Sequence, residues 1–139
     1  MKEVVGVAFF KDGKLLISQS VKSAKKNKFT FVGGGIDAGE TVLQAAVREC
    51  KEEIQNGFDI SENDFEPIMD FIEHAASDET LLIHMHILKA KKEIDVELKP
   101  NKEIIRYHWF TEGEDESILS SSISKHLLPV AREMGLFYK

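Results

Sequence analysis

The sequence predicts one α/β domain of the α+β kind, and three observations carry that expectation. At 139 residues the chain has the size of an ordinary single domain, expected to span 1–139. Several short β-branched and aromatic runs alternate with turn residues, as strands do. One segment between them has strong helical periodicity with an N-terminal cap.

Taken in order, Val4 to Phe10 and Leu15 to Ser20 read as strands. Lys11-Asp12-Gly13-Lys14 between them carries an Asp-Gly turn signal, so the pair is expected to form a hairpin. A lysine-rich stretch follows (Lys22, Lys25, Lys26, Lys28), then a short extended segment from Phe29 to Val32. Gly33-Gly34-Gly35 is expected to be a loop, since three glycines suit neither helix nor strand. Thr41 and Gln44 have the spacing of a capping box. Leu43, Val47, Cys50 and Ile54 then make one apolar stripe, and Asn56-Gly57 supplies the stop.

Downstream, Pro67 to His74 and Thr80 to Ala90 read as strands. In the second, Leu81, Ile83, Met85 and Ile87 share one face, and Leu82, His84, His86 and Leu88 the other. Ile104 to Phe110 is a further strand. Ser117 to Met134 reads as a closing helix that Pro129 bends or divides.

Composition narrows the partners. The net charge of −6 argues against nonspecific binding to a nucleic-acid backbone. A single cysteine, Cys50, allows no internal disulfide, and it belongs to the packing stripe, so a buried structural thiol is expected rather than a nucleophile. The residues Met1 to Gly6 lack the character of a secretory leader, and no apolar run approaches a membrane span. A cytoplasmic protein with no membrane contact is the expectation. Apolar strand residues left at the surface would suit a homodimer.

The helix also carries acids. Glu49, Glu52 and Glu53 fall within an arc of roughly 100°, centred roughly 130° from the apolar stripe for Glu49. Like charges at these spacings repel by roughly a few tenths of a kcal/mol per pair. They also sit near the helix C-terminus, where the macrodipole disfavours anions. A divalent cation offsets both penalties, and Mg²⁺ takes oxygen ligands. Taken alone, Glu-x-x-Glu-Glu reads as a solvated acidic face, since such helices are common on surfaces.

The surrounding pattern decides between these readings. Gly34, five residues, Glu40, seven residues, then Arg48-Glu49-Cys50-Lys51-Glu52-Glu53 resembles the Nudix box, the signature of Nudix hydrolases. The N-terminal hairpin, the aromatic segment before the glycines and the Tyr107-His108-Trp109-Phe110 strand also lie where family members have theirs. Two positions depart from the pattern: Val32 stands where proline is common, and Gln55 where glycine is usual, with the glycine arriving at Gly57. The second departure leads us to expect a slightly longer helix before its left-handed cap.

The resemblance implies a fold and a chemistry. The fold would be a mixed β-sheet sandwiched between α-helices. Glu49, Glu52 and Glu53 would hold Mg²⁺, with Mn²⁺ as a substitute, and the carbonyl of Gly34 or Gly35 would add a neutral oxygen. One of the three, Glu49, Glu52 or Glu53, would serve as catalytic base, with Glu103 as a further base or ligand and Glu97 its competitor. Arg48 would orient a glutamate, Glu40 being placed for that pairing. The activity would be phosphoanhydride cleavage in a small nucleotide substrate, MutT-like, taking a (d)NTP, oxidised ones included, to the monophosphate and pyrophosphate. ADP-ribose and dinucleoside polyphosphates are alternative substrates, and a catalytically silent nucleotide sensor is the alternative of another class.

Other residues are read both ways. Lys28 and its neighbouring lysines either meet substrate phosphates or form a solvated loop. Gly35 would contact the substrate if the triple glycine cradles phosphate, a reading that rests on the box around it, and Trp109 either stacks on a base or simply packs. His84 and His86 share a strand face, but with no third nitrogen or sulfur ligand nearby in sequence, structural packing is expected.

Overall fold

The computed structural model describes residues 1–75 and 78–139, and all their side chains except those of Lys22, Asp78 and Glu79. Lys22, named above in the lysine-rich stretch, therefore has its side chain outside those described.

The elements are β1 (Lys2–Ala8), β2 (Phe10–Lys11), β3 (Lys14–Ser20), a short α1 (Val21–Ala24), β4 (Val32–Gly35), α2 (Val42–Ile54), β5 (Phe65–Ala75), β6 (Asp78–Ala90), β7 (Ile104–Phe110) and α3 (Leu128–Glu133). The strands form two sheets. The four-stranded sheet has the order β4-β1-β6-β5, and the three-stranded sheet the order β2-β3-β7. The first is mixed: β1 runs antiparallel to β4 and parallel to β6.

Alternation along the strands splits the core in two. Val5, Val7, Leu16, Leu88 and Ala90 face α2, where Ala45, Ala46, Cys50 and Ile54 are buried. Ala8, Leu15, Ile17, Met85, Ile87 and Phe110 face the other way, onto Ile123, Leu127, Leu128 and Ala131. The strands are thus held between two helical layers, as the Nudix resemblance implied.

Four expectations change. The long N-terminal hairpin is a short one, β2 with β3, because the chain leaves the first sheet at the buried Phe9. Its turn is as expected, with Asp12 and Gly13 at φ 50° and 79°, the signs a two-residue hairpin turn requires. The triple glycine is not a loop: Gly33, Gly34 and Gly35 pair antiparallel with Gly6, Val5 and Val4 as the edge strand β4. Helix α2 does not run long. It stops at Ile54, and Gln55 itself takes the positive φ, 57°, followed by Asn56 and Gly57. The closing helix is divided more thoroughly than proline alone requires, into a 3₁₀ turn at Glu116–Ile118, a π-type turn at Ser122–Leu127, and α3 with Pro129 in its first turn. Among the described residues no helix is long and apolar enough to cross a membrane.

Candidate active site

Helix α2 begins as expected: the Thr41 hydroxyl accepts from the Gln44 amide at 3.1 Å, and Gln44 Oε1 accepts from the Thr41 amide at 2.9 Å. Its inward face differs from the expected stripe. Leu43 and Val47 are only half-buried, and the sealed residues include Ala46, Glu49, Cys50 and Glu53, a spacing of i, i+3, i+4 and i+7. Glu49 and Glu53 are 9% and 5% exposed. Two of the three acids are therefore part of the buried face, tucked under β4.

The glycines of β4 make this possible. A Cβ placed on Gly34 would lie 2.6 Å from Glu49 Oε1, closer than any side chain allows. The Gly33 amide donates to Glu53 Oε2 at 2.8 Å. Burial pushes the Glu53 carboxyl up to about 9 against the opposing Gly33 bond, and the neighbouring charge of Glu49 pushes the same way. Burial also raises Glu49. Two facing carboxyls in a water-poor setting cannot both ionise without a compensating cation.

Arg48 is the organiser beside them. Its Nε and Nη2 fork onto Glu40 at 2.8 and 2.9 Å, Nη2 also donates to the Gly35 carbonyl at 2.9 Å, and Nη1 reaches Glu49 at 3.0 Å and Glu52 at 3.4 Å. The fork holds Glu40 down at about 2. Glu52 is half-exposed and turned toward Arg48, so the three acids do not close into one tight triad. A long exposed side chain changes rotamer at little cost.

Glu49, Glu52 and Glu53 line one cleft of about 500 Å³, together with Ser20, Val21, Gly33, Gly34, Gly35, Lys102, Glu103 and Ile104. Glu103 thus shares the cleft with the box glutamates, 50 or more positions from them in the chain. Glu97 is exposed elsewhere, near Lys99. Of the expected ligand carbonyls, that of Gly35 is engaged by Arg48. Lys28 is not in this cleft. Its Nζ donates to the Ser117 carbonyl, and it lines a larger hollow of about 720 Å³ that meets the cleft at Ser20. Trp109 lies in a separate hollow with Tyr107, His108, Ile94, Val96 and Leu98.

Sequence reasoning missed Asn101, Tyr107 and Lys102. Asn101 Nδ2 donates to the Glu53 carbonyl at 2.8 Å while its Oδ1 accepts from the amides of Glu103 and Ile104 at 2.9 and 3.0 Å. The Tyr107 hydroxyl donates to the same Glu53 carbonyl. Burial, aided by the Glu53 charge, raises Tyr107 to about 12. Asn101 alone had a readable signal, an Asx-type turn two residues before Glu103.

Matching the chain against known families completes the assignment. The profile of the NUDIX domain matches residues 2–120. The chain belongs to the Nudix family. With the family comes the reaction class, hydrolysis of phosphorus-containing acid anhydrides. Among solved structures, a NUDIX hydrolase from Nitrosomonas europaea aligns at a TM-score of 0.75 and 18% identity over 99% of this chain and 91% of its own. The Ap4A hydrolase of C. elegans aligns at 0.61 and 18% over 95% of each chain. A MutT/nudix family protein from Enterococcus faecalis aligns at 0.63 and 22%, covering 78% of this chain but only 43% of that protein. At these identities the likeness shows the fold. Among curated proteins none matches this chain by sequence.

Proposed function

We propose that this Nudix protein is a Mg²⁺-dependent nucleotide pyrophosphohydrolase, with Mn²⁺ able to replace Mg²⁺, acting on (d)NTPs and their oxidised forms. The observation that carries the reading is the Glu49–Glu53 pair, two facing carboxyls buried at the cleft floor. Stability alone would have selected apolar residues there. The donor set is all oxygen, which fits a hard divalent cation of the kind the family uses. Glu49, Glu52 and Glu53 would hold it, with the carbonyl of Gly34 in reach. When bound, such a cation neutralises polyphosphate charge and lowers the pKa of a water.

The chain's own residues do the rest. Gly33 fixes one oxygen of Glu53, and Asn101 and Tyr107 pin its carbonyl, so the carboxyl has little freedom. Arg48 clamps the start of α2 to its third turn through Glu40 and Glu49. Glu103, which lines the same cleft, would take the proton of the attacking water, with Glu52 or Glu53 as the other base. Lys102 and Gly35 stand on the walls, where they would meet phosphate oxygens. The water oxygen bonds to phosphorus, the anhydride P–O bond breaks, and pyrophosphate leaves with the nucleoside monophosphate as the other product.

Support for a nucleotide comes from the hollow of about 720 Å³ beyond Ser20, which is large enough for a base and sugar and is edged by Lys28 and Lys125. The test is product release from a panel of nucleoside triphosphates, oxidised ones, ADP-ribose and dinucleoside polyphosphates, with and without Mg²⁺. Metal-dependent release of pyrophosphate from triphosphates supports the reading. Turnover of another class reassigns the substrate, and silence from folded protein that binds nucleotide favours a sensor.

A further inference from the structure

A second cluster of ligand-type side chains lies on the mixed sheet outside the glutamate cleft. Glu3 on β1 and His84 on β6 are partners in the parallel ladder, and Asp70 on β5 is the partner of His86. The residues expected to pack structurally are therefore not in the core: their rings stand 4.0 Å apart, each about one-fifth exposed, over a shared carboxylate. Glu3 Oε1 is 3.0 Å from His84 Nδ1 and 2.9 Å from His86 Nε2. The third ligand was invisible in the sequence because it comes from 81 positions away.

We propose that Glu3, His84 and His86 form a binding site for a zinc-class divalent transition metal. Among the described residues this is the group whose ligand atoms gather within 4.8 Å of one another. In a tetrahedral zinc site the ligand atoms stand roughly 3.3 Å apart, so a widening of a few tenths of an ångström admits the ion. Two imidazoles with one carboxylate suit Zn²⁺, Co²⁺, Ni²⁺ or Cu²⁺ rather than Mg²⁺.

The surrounding groups favour the same reading. His84 Nε2 lies 2.6 Å from Asp70 Oδ2, the carboxylate-to-histidine contact that orients metal-ligating imidazoles. A metal ion at His84 Nδ1 takes the place of the proton that otherwise bridges to Glu3 Oε1 at 3.0 Å. The sheet also supplies rigidity, since all four side chains stand on paired strands.

The test is Zn²⁺ titration of the chelator-stripped full chain against a chromophoric chelator, with excess Mg²⁺ present, repeated on the His84→Asn/His86→Asn double variant. The wild-type chain should take one Zn²⁺ equivalent that Mg²⁺ does not displace. The double variant should bind at least about a hundredfold more weakly, and Asp70→Asn about tenfold. A Glu52→Gln/Glu53→Gln variant should keep this equivalent. Equal Zn²⁺ binding by wild type and the double variant, or no binding by either, overturns the proposal. A second readout needs no substitution: Zn²⁺ should protect His84 and His86 of the wild-type protein from carbethoxylation while His108 still reacts. Unchanged reactivity at His84 and His86 overturns it equally.

Discussion

Gly34 lies against the carboxyl of Glu49 so closely that a single added methyl would stand 2.6 Å from Oε1 and 2.9 Å from Cδ. The substitution Gly34→Ala should therefore push Glu49 out of place without unfolding the chain, since the backbone there is ordinary edge strand. We expect kcat/KM to fall by roughly 10- to 100-fold, the range for a disturbed supporting shell. Steady-state kinetics beside far-UV circular dichroism check it; full activity would mean that Glu49 has room to spare.

Arg48 makes a fork that lysine cannot copy. Its contacts with Glu40, Gly35 and Glu49 need three donors in one plane. Arg48→Lys should lose activity nearly as badly as Arg48→Ala, roughly tenfold or more, although the charge is kept. A lysine variant with wild-type turnover would show that charge alone suffices.

In metal-free protein the buried glutamates set a pH dependence of stability. Glu53 is raised from 4.5 to about 9 in the folded state. A raised group contributes stability that is complete below the unfolded value and is lost as pH rises through the folded one. With chelator present, Tm should fall as pH climbs from about 5 to 9, and Glu53→Gln should flatten the slope. Glu40, held at about 2, contributes in the opposite sense: present above 4.5, lost as pH falls through about 2. Thermal melts across this range decide the matter, and a Tm that rises from pH 5 to 9 contradicts the assignment.

Gln55 sits at φ 57° and ψ −152°, a region that only glycine occupies without a cost of roughly 1–3 kcal/mol. Its side chain recovers part of that by donating to the Glu52 carbonyl at 2.8 Å. Gln55→Gly should raise stability by about 1 kcal/mol, read as a higher urea midpoint at unchanged slope. An unchanged or lower midpoint would place the strain elsewhere.

Local signals were legible and long-range ones were not. The Thr41–Gln44 cap, the alternation of β6 and the Asp12-Gly13 turn each rest on neighbours in sequence, and each stands in the structure. The glycines were misread because backbone preference argues for a loop, whereas tertiary contacts set their role: Glu49 packs against Gly34 from 15 residues away, and Gly33 lies against the backbone of Val5. Gln55 was misread for a similar reason: the chain turns at Gln55 between two buried residues, Ile54 and Phe58, whose burial is not local information. Within the site, the box placed Arg48, Glu49, Glu52 and Glu53 on one helix. The burial of Glu49 and Glu53, the anchoring by Asn101 and Tyr107, and the Glu3 contact to His84 all depend on strand pairings between distant segments.

The central claim is that the buried Glu49–Glu53 pair serves hydrolysis rather than structure. Its most direct test compares Mg²⁺-dependent pyrophosphate release by the wild-type chain and Glu53→Gln on the best triphosphate of the panel. The account predicts a folded variant whose turnover falls by about 10²- to 10⁴-fold, the scale of a lost acid–base or charge-stabilising group. Near wild-type turnover in folded Glu53→Gln would contradict it.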